Sequence, residues 1–305
     1  MRSVLPFAAA IACGFLVTSG AYARDIYVSN AAGDDHFNGN HPTTEIPLHG
    51  PVRTIAKGLR LAAPGDRVVV ANTGRAYRES VSLVGPNNSA SDVEEFILEG
   101  NGATLEGSEP VRHEAWMHVS GDVFRHAPER LGYQQLFLAG KPALQRHLAS
   151  PESVPPLAPR EWCLARGHIY FRVEPGRTPQ SYRPSTASRQ TGITLYKVRG
   201  AVVRNFVLQG FQLDGINAHD GAMGVRLEGL TCRGNGRSGI SVGGSSRVLV
   251  TDCLVGDNGR AQLRTEGFSK THVEHCDLLD NTAPASRVEG GQLWVDGKPI
   301  ARPTL

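Results

Sequence analysis

Aromatic side chains make up only 7% of the 305 residues, and no dense run of lysine and arginine disturbs a net charge of +3. A chain without a basic stripe lacks the electrostatic footprint of a nucleic-acid-binding protein. No Cys-x-x-Cys pair occurs, nor any Cys/His spacing that ligates a metal. The run from Val4 to Val17 is too short to span a bilayer, so no membrane-spanning segment is expected. Between Ile193 and Asn281 no run of ten or more residues shows a 3.6-residue apolar period, so helical repeats fit badly there. Glycine, at 35 residues, is abundant and suits many tight turns. The length allows one large domain or two small ones.

Residues 1–23 read as a secretory signal: Arg2, then the apolar run, then Ala21-Tyr22-Ala23 as a small-x-small cleavage site. The rival is a lipoprotein signal, with Ala10-Ile11-Ala12 before Cys13, although the residue three before Cys13 is Ala rather than Leu. Either way the chain is expected to be exported, to the periplasm or beyond. Removing the leader leaves Cys163, Cys232, Cys253 and Cys276. An even count in an exported chain invites disulfides, whereas the apolar surroundings of the last three favour thiols packed as small hydrophobes. Both readings stand at this point.

The stretch from Ile193 to Asn281 repeats on itself. Ile193, Ile216, Ile240 and Leu263 form one column at steps of 23, 24 and 23; Phe206, Leu230, Cys253 and Cys276 form a second at 24, 23 and 23. Asn235, Asn258 and Asn281 form a third, each 23 apart. A fixed period of this size means stacked repeats. Inside each repeat, short alternating runs such as Val248/Val250 and Cys253/Val255 are of strand length and are broken by Gly or Asn. The spacing of a leucine-rich repeat is missing. An inward Asn at each turn can hydrogen-bond to the Asn of the next coil, as in stacked Asn ladders.

These columns resemble the right-handed parallel β-helix superfamily, the pectin-lyase-like fold. The likeness extends to Ile-Tyr-Val-Ser (26–29), Thr-Ile-Ala-Lys-Gly-Leu (54–59) and Pro-Gly-Asp-Arg-Val-Val-Val (64–70), which resemble the entry segment of secreted β-helices. The expected class is all-β, with an N-terminal capping helix and an inserted small β subdomain. Residues 24–110 are expected to form the cap and first coils, 111–185 the insertion, and 186–305 the later coils. Pro51–Ala63 has near-helical apolar spacing and would cover the open end of the stack. Asp34, Asp35 and Asn38 lie in a polar loop that can be read as solvated or as cation-binding. In the insertion, Trp116, Trp162, Tyr170 and Phe171 can be core or sugar-stacking residues. Leu293-Trp294-Val295 is expected as the last strand.

Alternation along the strands predicts the outer face. With Ile216 and Ala218 inward, Thr194, Asn217, Ser241 and Arg264 make one outward column and Tyr196, His219, Gly243 and Glu266 the next. Lys197 and Asp220 then lie side by side, about 5 Å apart. The candidate catalytic residues are His219, Tyr196, Lys197 and Asp220, and the candidate substrate-binding residues are Asn217, Arg237, Arg264 and Glu266. This set suits proton abstraction beside a uronate carboxylate, which needs a cation on the carboxylate, a base and an acid. Arg237, Arg264 or Lys197 would meet the carboxylate; His219 or Tyr196 would serve as base and acid. Asp220 would orient His219, or bind Ca²⁺ with Glu266; no other cofactor is implied. Asp214-Gly-Ile-Asn-Ala-His-Asp220 also resembles the strand of mannuronan epimerases that carries Asp-Pro-His-Asp. His219 and Asp220 match it, while Asn217 stands for the first Asp, Ala218 for Pro and Asp214 for a Tyr. The polygalacturonase pattern of Gly-His-Gly with an adjacent Asp-Asp pair is missing from the repeats, and Asp214 and Glu266 fall on different columns.

The expectation is therefore an exported monomer acting on or binding an acidic polysaccharide or oligosaccharide, with lyase or epimerase chemistry if it is an enzyme. The alternative is a non-catalytic carbohydrate-binding or surface structural β-helix, because polar residues cover the outside of any such fold and His219-Asp220 can be a plain turn.

Overall fold

The computed structural model describes residues 23–44, 46–129, 132–148, 150 and 153–301; the expected leader, apart from Ala23, and Cys13 lie outside the described residues. The chain winds into a parallel β-helix. One wall is a six-stranded sheet, called here the site sheet, made of Val81–Val84, Ile193–Tyr196, Asp214–His219, Ser238–Val242, Ala261–Thr265 and Ser286–Val288. A longer, bent sheet forms the rest of the wall, with Asp25–Val28, Arg67–Val70, Phe96–Glu106, Ala201–Gln209, Met223–Glu228, Arg247–Thr251, Lys270–Glu274 and Gln292–Val295 in order.

Register follows the sequence period. Ile193 pairs with Ile216, Ile216 with Ile240, and Ile240 with Leu263. All four are fully buried in one continuous core. A 23- or 24-residue step therefore returns each apolar side chain to the same place one strand further on, about 4.8 Å away. Left-handed residues recur at three corners of the coil. Asn205, Gly229, Asp252 and His275 hold one; Lys197, Asp220, Gly244 and Gly267 hold another; Gly210, Gly234 and Asp257 hold the third. Asp and Asn tolerate that conformation better than most residues and glycine adopts it freely.

The asparagine column is less regular than the period implies. Asn258 Oδ1 accepts from the backbone N–H of Asn235 at 2.9 Å and from its side chain at 3.1 Å, and both residues are fully buried. Gln262 then interrupts the ladder: it accepts from Asn258 Nδ2 at 2.8 Å and donates to Asn281 Oδ1 at 3.1 Å. Asn281 is exposed and also donates to Asp257. A longer side chain thus spans the last step, where the stack approaches its end.

The helix Ile55–Leu61 covers the other end and is shorter than the periodic stretch. Val52 is taken up by a bridge to Val28, and the Thr54 hydroxyl caps the helix by accepting from Lys57 N–H at 3.1 Å. Asp35 accepts from Arg53 and Thr54 N–H, both at 2.9 Å, so the acidic loop is tied to the start of the helix. Glu79 accepts from the N–H groups of Ile55 and Ala56, a partner that local spacing gave no sign of.

The insertion leaves the stack through an antiparallel pair, Ser108–Pro110 with Pro184–Ala187. It contains a four-stranded sheet of Trp162–Ala165, His168–Arg172, Val123–His126 and Trp116–Ser120. Trp162 and Phe171 are fully buried, and Tyr170 and Trp116 nearly so. These four rings are core, which leaves no face for sugar stacking. Cys163, Cys232, Cys253 and Cys276 are free thiols. At the C-terminal end Gln292–Val295 is not the last strand. Lys298–Ile300 folds back antiparallel on it, which covers the open edge.

Candidate functional site

The outer face of the site sheet brings the predicted cluster together. Tyr196 and His219 are register partners on adjacent strands, with ring centroids 5.4 Å apart. Lys197 Nζ lies 5.0 Å from the centre of the Tyr196 ring. His219 Nδ1 stands 3.0 Å from Asp220 Oδ2. A carboxylate only accepts, so Nδ1 carries the proton and donates it to this bond. In the neutral imidazole that leaves the lone pair on Nε2. Asp220 and Lys197 both sit at the left-handed corner that closes the sheet. The corner is thus a turn, as any β-helix needs, and it also sets Asp220 against His219 and Lys197 against the Tyr196 ring.

Further along the face the two columns diverge in character. Asn217 pairs with Thr194 and Ser241, and Ser241 with Arg264. Although on the outward column, Ser241 is fully buried, and its hydroxyl has no protein partner; neither has Nη1 of Arg264. Arg264 is otherwise bracketed, by Glu266 at 2.6 Å and by Glu289 at 2.5 Å. Arg237 precedes its strand and does not stand in either column. It is clamped by the fully buried Asp214, through Nε at 3.0 Å and through Nη2, and hydrogen bonds to that carboxylate hold its pKa above the usual value. Ser238 Oγ adds a third donor to Asp214 at 2.5 Å. Asp214 is therefore a support for Arg237 and is closed to substrate.

Gly243 and Gly244 lie between the two acidic residues of the face. A Cβ on Gly243 would stand 2.9 Å from Glu266 Oε1, and one on Gly244 would stand 3.0 Å from Asp220 Oδ1. Two carboxylates, one from the coil before and one from the coil after, thus reach over consecutive glycines beside His219. Each also has a protein partner, Asp220 in His219 and Glu266 in Arg264, and no cluster of three or more His, Cys, Asp or Glu able to hold a metal occurs among the described residues.

Sequence reasoning missed the continuation of the face. A cleft of about 490 Å³ adjoins Thr194 and is lined by Ser80, Ser82, Glu109, Arg189, Gln190 and Thr191, among others. Glu109 and Arg189 form an ion pair across the neck of the insertion, 80 residues apart in sequence. No local pattern signals such a pairing. Phe268, strongly exposed on the turn two residues after Glu266, was also missed; an isolated aromatic in a Gly-rich turn has no period to reveal it.

Comparison with known proteins agrees with this architecture. A family model described as "Right handed beta helix region" matches residues 185–297. The chain is a right-handed parallel β-helix. A search of curated proteins found no match. A solved structure titled "Glycoside hydrolase" is similar to this β-helix with a TM-score of 0.61 at 10% identity, over 83% of this chain and 73% of that one. A structure titled "The complex structure of XylC with xylose" aligns at 12% identity over 88% of this chain and 70% of that one, with a TM-score of 0.44. At these identities the likeness is one of fold. No helix among the described residues of the β-helix is long and apolar enough to cross a membrane.

Proposed function

We propose that the β-helix is an exported protein that acts on acidic polysaccharide, abstracting the proton beside a uronate carboxylate on the outer face of the site sheet. The observation that carries this reading is the 3.0 Å contact of His219 Nδ1 with Asp220 beside the Tyr196 ring: in the neutral imidazole it puts the proton on Nδ1 and leaves Nε2 to act as base. Lys197 is the cation best suited to the substrate carboxylate. It is exposed, it makes no ion pair among the described residues, and it adjoins the Tyr196 ring. Arg264 and Arg237 are each already bound to carboxylates. They would shape the face around Lys197 rather than meet the substrate carboxylate, since Nη1 of Arg264, though unengaged, is buried.

In the lyase form, Nε2 takes the proton from the carbon beside the carboxylate. The electron pair forms a double bond to the next ring carbon, and the glycosidic oxygen on that carbon leaves with a proton from Tyr196. In the epimerase form, no bond to oxygen breaks and Tyr196 returns a proton from the other side of the ring. The open face, the adjoining cleft and the exposed ring of Phe268 suit a chain rather than a single sugar. Export rests on residues 1–23. The helix at one end and the hairpin at the other cover the stack and support a monomer.

Hydrolysis is a second reading, favoured by Asp220 and Glu266 reaching over Gly243–Gly244 and by the likeness to a structure titled as a glycoside hydrolase. Paired carboxylates flanking a glycosidic bond perform that reaction. One experiment separates the readings: a panel of uronate polymers assayed for ultraviolet absorbance of unsaturated products, for new reducing ends and for proton exchange into the sugar. The lyase gives absorbance, the epimerase gives exchange without cleavage, and the hydrolase gives reducing ends without absorbance. His219→Ala is expected to lower the rate by roughly 10²–10⁴-fold. Full activity in that variant removes His219 from the mechanism, and inactivity of the wild type on every polymer leaves the non-catalytic binding module as the reading.

A further inference from the structure

A second pit lies on the long sheet, on strands Met223–Glu228, Arg247–Thr251 and Lys270–Glu274. It has a volume of about 500 Å³ and is lined mainly by Arg226, Arg247, Leu249, Lys270, His272 and Glu274. That is within the size range of small-ligand sites. The pit has a local cause. The pairing of this strand with the next shifts register between Met223 and Val225, and Gly224 is left over as a bulge with φ +62°. Nothing lies within 4 Å of where its Cβ would be. Bulges of this kind re-aim side chains and recur beside functional sites.

The residues around the pit sort by chemistry. Arg226, Leu249, His272 and Trp294 are successive register partners on the outward column. His272 and Trp294 stack face to face, with centroids 4.5 Å apart and planes 2° from parallel. Leu249 is the half-buried apolar floor beside this stack. Arg226 is locked to Glu95 and Glu228, and those hydrogen bonds raise its pKa. Arg247 and Lys270 are different. They are register partners, about 5 Å apart along the sheet. Both are exposed, and among the described residues neither side chain makes an ion pair or hydrogen bond, although the backbone N–H groups donate to Ala222 and Ser246. Two unpaired cations held side by side repel one another, and an anion bridging them turns that repulsion into binding. The opposite rim offers the exposed carboxylate of Glu274, an acceptor for hydroxyl groups.

We propose that this pit is a second, non-catalytic binding site for an acidic sugar unit, its carboxylate between Arg247 and Lys270 and its apolar ring face on Leu249 and His272. It shares the ligand class of the proposed function but none of the residues of the site sheet. It would hold the polymer on one wall while the other wall works on it.

The test is calorimetric titration of the full chain with acidic tetrasaccharides of several uronates, with a neutral tetrasaccharide and poly-glutamate as controls. Tryptophan fluorescence is read in parallel, since Trp294 adjoins the pit whereas Trp116 and Trp162 are buried in the insertion. The wild type is expected to show two classes of site and a fluorescence change. Arg247→Gln with Lys270→Gln should weaken one class at least tenfold and abolish the fluorescence change. His219→Ala with Lys197→Gln should weaken only the other class. If the first double variant binds as the wild type does, or if no acidic tetrasaccharide binds at all, the second site is overturned. If poly-glutamate binds at Arg247 and Lys270 as tightly as the sugar, the assignment of a saccharide is overturned in favour of an acidic peptide. Failure of the variant pair on the site sheet, with the first pair behaving as expected, counts against the proposed function and leaves the pit standing.

Discussion

Inside a β-helix every inward position is set by its strand neighbours, so a single misplaced hydroxyl is costly. Thr265 follows Val242 in the inward column and precedes Val288, and its hydroxyl is buried with no partner. A buried hydroxyl without a hydrogen bond costs about 1–3 kcal/mol. Thr265→Val keeps the branched shape and removes the unmet polar atom. It should raise stability by about 1 kcal/mol in urea denaturation, with an unchanged slope. A loss of stability would show that the hydroxyl is satisfied in solution. At this scale the chemistry of His219 follows from one contact. The sequence placed Tyr196, His219 and Asp220 together through register alone. It did not reveal which ring nitrogen carries the proton, because that depends on the turn of the Asp220 side chain at a left-handed corner. Nor did it show that Arg264 and Arg237 are already engaged, since their partners Glu289 and Asp214 come from other coils.

At the scale of elements, the first coils differ from the later ones in how charge is held. Asp25 is kept below its ordinary 3.8, mainly by the hydrogen bond from Arg67. Burial pushes Asp66 up, but hydrogen bonds from Arg24 and from Ala63 N–H outweigh it and keep it low. Glu99 follows the same pattern, with Asn101 N–H, Asn205 and Arg204 outweighing burial and holding it below 4.5. A carboxylate whose pKa is lower folded than unfolded stabilises fully above the unfolded value and loses that contribution as pH falls through the folded one. Glu79 has the opposite sign, because burial raises it and its contribution fades as pH rises. Asp34 and Glu95 are also lowered, by hydrogen bonds from His36 and Arg226, and five groups against one predict that acid loosens the first coils before the later ones. Hydrogen exchange compared at about pH 6 and about pH 3 should show protection lost first over residues 24–110. Uniform loss along the stack would refute the assignment.

For the whole molecule, compartment and thiol state belong together. Burial pushes the Cys163 thiol up to about 11 and raises Cys232 further. Cys253 and Cys276 stack one coil apart, and Cys253 N–H donates to Cys276 Sγ at 3.3 Å. The thiolate is the reactive form, so Cys163 and Cys232, raised by burial, react slowly, whereas hydrogen bonds from Cys253 lower Cys276. A thiol reagent should therefore find few reactive groups in the native chain, with the half-buried Cys276 first, and four from residue 24 onward after denaturation without reductant. Recovery of only two would show that Cys253 and Cys276 pair on export.

The sequence by itself determined the winding. A period of 23 or 24 with β-branched and leucine residues in register leaves few other ways to bury Ile193, Ile216, Ile240 and Leu263, so fold and outward columns follow from short-range alternation. Only the tertiary structure decided what those columns can do. It placed Gln262 in the asparagine ladder, folded Lys298–Ile300 back as a cap, and set Glu109 against Arg189 across the insertion. It also opened the pit at Gly224. The physical reason is range. Alternation and period are properties of neighbouring residues, whereas ion pairs, tautomers and clefts join side chains from different coils, whose rotamers no local pattern records.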